Sequence, residues 1–112
     1  MAWFRHRIRV VNQAVNYTSE VQNAQRTLRA VTMHWGAAPT TSENIVVQLD
    51  SEAGPEYDAV VYTLDPSADS TTDVLLTDIN LPIMAGDAVR VTYANTDHNT
   101  LGIQVLLSDA RS

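Results

Sequence analysis

Apolar and polar residues alternate one for one along most of this chain. Ile8 and Val10 interleave with Arg7 and Arg9, and Val31, Met33 and Trp35 with Ala30, Thr32 and His34. The same rule runs through Ile45, Val47 and Leu49, through Val60, Tyr62 and Leu64, and through Ile79, Leu81 and Ile83. It is clearest in Val89, Val91 and Tyr93, and in Leu101, Ile103, Val105 and Leu107. Successive side chains on a strand point to opposite faces, so the pattern predicts strands with one buried face each. Between the runs, residues 36–42, 51–55, 65–70, 86–87 and 95–100 are rich in Gly, Pro, Asn, Asp, Ser and Thr. These residues favour turns. Seven to eight short strands broken in this way predict an all-β fold, an antiparallel two-sheet sandwich that is jelly-roll-like. The last two runs, joined by residues 95–100, read as an antiparallel hairpin.

One stretch breaks the alternation. Ala14, Tyr17, Val21, Ala24 and Leu28 fall at helical spacing, and Ser19 stands where it could cap a short helix. Asn16, Thr18 and Asn23 are poor residues for a helix interior. An irregular loop leading to a strand that starts near Arg26 is therefore expected, with the short helix as the alternative. Residues 1–12 form an N-terminal arm or first strand, and residues 13–112 the sandwich. The chain shows no internal repeat, low-complexity tract or linker.

A length of 112 residues suits one such domain. There is no cysteine, which removes disulfides and thiolate metal sites. No apolar run reaches the roughly 18 residues of a membrane span. No apolar core of a secretion signal follows the basic start, so a cytoplasmic origin is expected. Charge changes the picture more. Residues 1–29 hold five arginines against one acid, while residues 30–112 hold two arginines against twelve acids; there is no lysine. The two parts carry +4 and −10, for a net −6. A body this acidic disfavours general nucleic-acid binding, which needs a basic surface. The basic start could instead meet an acidic neighbouring subunit. The alternative is that its arginines are solvated edge-strand charges that block aggregation.

Catalytic chemistry finds no support. His6, His34 and His98 are scattered, with no Gly-x-Ser-x-Gly elbow and no second histidine at ligand spacing. His34, beside Trp35, reads as a structural histidine and His98 as a solvated turn residue. Most of the acids lie in turns, where they serve solubility and turn geometry rather than a glycosidase pair. Asp65, Ser67, Asp69, Thr71 and Asp73 alternate as in a calcium loop, but Ser70 replaces the turn glycine and Leu76 the bidentate glutamate. The four glycines are too far apart for a phosphate loop. No catalytic residue, metal site or cofactor is expected.

The candidate site is a contact surface. Trp3 and Phe4 open the chain, where large aromatics are costly unless covered. Arg5, Arg7 and Arg9 share one face of the same strand. Aromatics with arginines are the usual make-up of an interface hot spot. The alternative is that the two rings cover one end of their own core. Residues 27–43 (Thr27-Leu28-Arg29 through Trp35-Gly36 to Ser42-Glu43) and residues 86–95 (Gly86-Asp87-Ala88 to Ala94-Asn95) together resemble small β-sandwich proteins among the structural genes of tailed bacteriophages. The resemblance implies a non-enzymatic virion protein, a capsid decoration or cement subunit docking on the major capsid protein or another virion protein. It also implies a homo-oligomer in a virion assembled in the host cytoplasm, with no nucleic-acid or membrane partner. The other functional expectation is a carbohydrate- or receptor-binding module of a tail or fibre, which would call on exposed aromatics.

Overall fold

The computed structural model describes residues 3–19, 24–68 and 71–109. They form strands β1 (Trp3–Val10), β2 (Val15–Thr18), β3 (Arg26–Trp35), β4 (Ile45–Asp50), β5 (Ala59–Leu64), β6 (Asp73–Leu76), β7 (Leu81–Ile83), β8 (Ala88–Tyr93) and β9 (Leu101–Asp109). One short 3₁₀ turn, Pro55–Tyr57, lies between β4 and β5. The first sheet runs β1-β9-β3-β6, with β7 pairing further along β3, and the second runs β2-β8-β4-β5. Every pairing is antiparallel. The molecule is an all-β two-sheet sandwich. Its topology is that of a jelly roll, with β6 and β7 sharing the place of one strand beside β3.

Four differences from the sequence reading have physical reasons. The final pair is not a hairpin: β8 pairs with β2 and β4, whereas β9 pairs with β1 and β3. Residues 94–100 therefore cross from one sheet to the other. Alternation reports a buried face but not the sheet to which it belongs. Second, β2 lies in the stretch read as loop or helix, with Val15 buried and Tyr17 half-buried on its inner side. Val21, part of the helical spacing, lies outside the described residues. Third, β6 occupies the end of the calcium-like segment, with Val74 buried among the core residues. Last, a register shift in the β4–β5 pairing at Val47/Gln48 inserts an extra residue in β5. Such a bulge turns the following side chains over. Val60 thus faces outward at 62% exposure, while Tyr62 and Leu64 stay half-buried.

The core lies between the sheets. Leu28, Val31, Met33 and Trp35 of β3 and Leu101, Ile103, Val105 and Leu107 of β9 form one half. Val15, Ile45, Val47, Val89, Val91 and Tyr93 form the other. Trp35 meets Tyr93 edge to face, with ring centres 5.9 Å apart and planes at 84°. That geometry sets a positive ring edge against a negative face. Each fully buried aliphatic side chain contributes about 1.5–3 kcal/mol.

Candidate functional site

Among the described residues β1 is an edge strand, paired only with β9, from Trp3 opposite Ser108 to Val10 opposite Leu101. The segment read as an arm or first strand is thus an edge strand of the first sheet. Alternation sets Trp3, Arg5, Arg7 and Arg9 on its exposed outer face. Phe4, His6 and Ile8 are half-buried on the inner side, and Val10 is buried. The five residues expected to bind a partner therefore divide. Four share one outer row, while Phe4 packs against the core with the Arg26 guanidinium 4.6 Å from its ring centre.

Trp3 is 53% exposed and has the Arg29 guanidinium 5.8 Å from its ring centre. Arg29 sits at a register shift in the β3–β9 pairing. Its Nε donates to Ser108 Oγ at 2.9 Å and its Nη1 to Asn80 Oδ1 at 3.4 Å. Arg7 Nε donates to Gln104 Oε1 at 3.4 Å. Among the described residues no carboxylate forms an ion pair with Arg5, Arg7 or Arg9. Guanidinium groups that keep free donors can take carboxylates from elsewhere.

Beside this row lies a groove of about 630 Å³, reaching from Arg7 and Arg9 to Asp73 and Leu75. Its floor includes Gly102, where a Cβ would meet nothing within 4 Å. His34 lies on its far side, with Nδ1 and Asp73 Oδ1 2.7 Å apart. Both side chains are largely exposed, so His34 is a satisfied histidine, as expected, but one that lies on the surface. The His34 hydrogen bond is the leading cause that holds the Asp73 carboxyl below its usual range. The groove was not foreseen. Its parts come from β1, β3, β6 and β9, and nothing in the local sequence joins Arg9, Gly102 and His34.

The acids at the loop end are occupied. Asp97 accepts from the N–H of Thr40 (2.7 Å) and Thr41 (3.1 Å) and from both hydroxyls (3.2 and 2.7 Å). The Thr41 hydroxyl and the two N–H groups bring its carboxyl down to about 2. Glu43 reciprocates, accepting from Thr96 N–H and Thr96 Oγ1, both at 2.7 Å. Asp65 accepts from Ser42 Oγ at 2.6 Å and from the Ser67 hydroxyl and N–H, which lower its pKa. It thus serves a turn, as expected. Asp69 and Ser70 of the calcium-like run lie outside the described residues. Among the described residues no cluster of three or more His, Asp or Glu could hold a metal ion. Tyr93 is pushed up to about 12, chiefly by burial and then by Glu43, Asp97 and Asp65. His98 lies exposed in the β8–β9 turn with a φ of 58°. Of the aromatics a sugar site would use, Trp35 and Tyr93 are buried and only Trp3 and Tyr57 stand exposed.

The fold and the outer row define a jelly-roll domain with a row of exposed arginines on one edge strand. No protein-family model matches the chain, and no curated protein matches its sequence. Solved structures do match in shape. The Drosophila NLP core, whose structure concerns pentamer formation and histone binding, is similar at a TM-score of 0.52 and 13% identity, over 92% of this chain and 96% of that one. A mitogen from Yersinia pseudotuberculosis follows at a TM-score of 0.46 and 6% identity, covering 99% of this chain and 88% of its own. Identities this low speak to fold alone.

Proposed function

We propose that this chain is a non-enzymatic structural subunit of a bacteriophage particle, a capsid decoration or cement protein. It docks on an acidic surface of another virion protein through the outer face of β1. One observation carries this reading. Trp3, Arg5, Arg7 and Arg9 stand in a row on an edge strand, without a carboxylate partner among the described residues. The rest of the chain, from residue 30 onward, carries −10. Opposite charge steers two surfaces together and fixes their register. A partly exposed tryptophan beside arginines supplies anchoring area at the same place.

The scaffold suits the role. Jelly rolls recur in viral capsids, and a similarly folded protein, the Drosophila NLP core, forms pentamers. The sequence resemblance to phage structural proteins points the same way.

Co-sedimentation with capsids assembled without this protein tests the reading. The natural chain is expected to bind saturably. Trp3→Ala and Arg5→Glu, whose side chains leave the core untouched, are expected to weaken binding by about tenfold or more. Absence of capsid binding by the natural chain overturns the proposal. Removal of residues 1–10 is not a clean test, because it strips β1 from β9.

A further inference from the structure

Two cross-strand rows build the groove on the first sheet. Arg9, Gly102, His34 and Asp73 lie side by side in one, and Arg7, Gln104, Thr32 and Leu75 in the next. Gly102 removes a side chain from the first row and leaves a notch between Arg9 and His34. One wall is cationic. The other offers Leu75, which is 68% exposed. Leu75 thus gives the groove an exposed apolar edge opposite its arginines.

The same molecule carries a projection of matching chemistry. Residues 51–58 join β4 to β5 and present Glu56 and Tyr57 outward, with Tyr57 63% exposed. The projection is braced. Ser51 N–H donates to Asp58 Oδ1 at 2.7 Å, Ala53 N–H to Ser51 Oγ at 3.1 Å and Glu52 N–H to Asp87 Oδ1 at 3.0 Å. Gly54, at φ 122°, and Pro55 then set the 3₁₀ turn that carries the pair. A turn held in this way loses little entropy on docking. Glu56 has no ion-pair partner among the described residues.

A chain cannot fill its own groove with this tip. β3 runs towards the groove, ending at Trp35, and residues 36–44 lead into β4 at that same end. β4 then runs back along the other sheet for six residues, roughly 20 Å at strand rise, before the tip begins. The sheets add roughly 10 Å between the two features.

We infer that the groove over Gly102 receives the Glu56–Tyr57 tip of a second copy of this chain. The Glu56 carboxylate lies on the Arg7 and Arg9 guanidinium groups, and the Tyr57 ring lies on Leu75. The contact joins two different surfaces, so copies associate head to tail, into a ring where the rotation closes. This rests on the assembly reading above and names one of its partners. Trp3 and Arg5, outside the groove lining, remain for the particle.

The test is mass by light scattering and sedimentation on the full chain, at low and high salt. The natural chain is expected to sediment as a multiple of 12.3 kDa that falls towards one copy as salt rises. Arg9→Glu and Glu56→Arg, each singly, are expected to weaken association by about tenfold or more, and the two together to restore part of it. Gly102→Leu fills the notch where a side chain meets no neighbour. It is expected to keep the circular dichroism spectrum and lose association. Mixing Gly102→Leu with Glu56→Arg chains is expected to give pairs and nothing larger, since one tip and one groove stay intact between them and the other tip and groove are both spoiled. A natural chain that is a single copy at high concentration overturns the inference, even where it binds capsids. An oligomer unchanged by Gly102→Leu and Glu56→Arg overturns it too. Loss of capsid binding in Trp3→Ala with the mass unchanged separates the two proposals.

Discussion

At the scale of single residues, the acids of this protein do two kinds of work. Asp97 is a structural clamp. Its two oxygens collect four hydrogen bonds from Thr40 and Thr41, and tie the loop after β3 to the loop after β8. Its folded pKa of about 2 lies below its ordinary 3.8. The lowered value means that its stabilisation is complete above pH 4 and is lost as pH falls towards 2. Asp65 and Asp73 shift in the same direction. Thermal melts of the natural chain are therefore expected to fall steeply across that window. Asp97→Asn, which keeps one acceptor oxygen of two, is expected to melt several degrees lower at neutral pH and to show a shallower acid limb. Tyr93 acts at the other end of the scale. Its pKa rises from 10.0 to about 12, so stability held below pH 10 is lost as pH rises through 12. Ultraviolet absorbance of tyrosinate is expected to show the Tyr93 phenol titrating late, coincident with alkaline unfolding. Gly86 is a third residue-scale constraint. At φ 94° it adopts a backbone that side chains avoid, and Glu52 occupies the space a Cβ would need. Gly86→Ala is expected to cost more than about 1 kcal/mol in denaturant melts.

At the scale of elements, β1 decides how the N-terminal region is understood. Its eight residues pair along β9, and the row Phe4, Leu107, Leu28 ties β1, β9 and β3 together on the inner side. Leu107 is fully buried at that junction. Leu107→Ala is expected to cost about 2–5 kcal/mol, read from chemical denaturation. Deletion of residues 1–10 is expected to lower the melting temperature sharply or abolish soluble expression, because it bares β9 as a new edge. The sequence already carried much of this. The one-for-one alternation in β1, β3, β4, β8 and β9 located those strands and their inner faces, and the arginine row followed from it directly. Short strands were harder. β2 and β6 have four residues each, too few for a period to stand out, and β2 also contains spacing that suits a helix. Bulges at Arg29 and in β5 were invisible because they depend on the partner strand. The groove was out of reach for the same reason. Gly102 has meaning only beside Arg9 and His34, which lie 93 and 68 positions before it in the chain.

At the scale of the whole molecule, strand order governs cooperativity. Among consecutive strands only β4 and β5 pair with each other as a hairpin. All other pairing joins strands distant in sequence, up to β1 with β9. No sheet can form before the chain has crossed repeatedly between the two, and neither sheet has a buried face without the other. Loop closure must therefore be paid before contacts return it, which places folding on the millisecond-to-second scale. It also makes partial structures unprofitable, so a single transition is expected. The two tryptophans allow a direct check. Trp3 is half-exposed on the outer face, and Trp35 is buried against Tyr93. Trp3→Phe leaves Trp35 as the only tryptophan reporter of the core. In that variant, measured in high salt, Trp35 fluorescence and far-ultraviolet circular dichroism are expected to change together through one denaturant midpoint. Separate midpoints would show that one sheet survives without the other, which the interleaved strand order forbids.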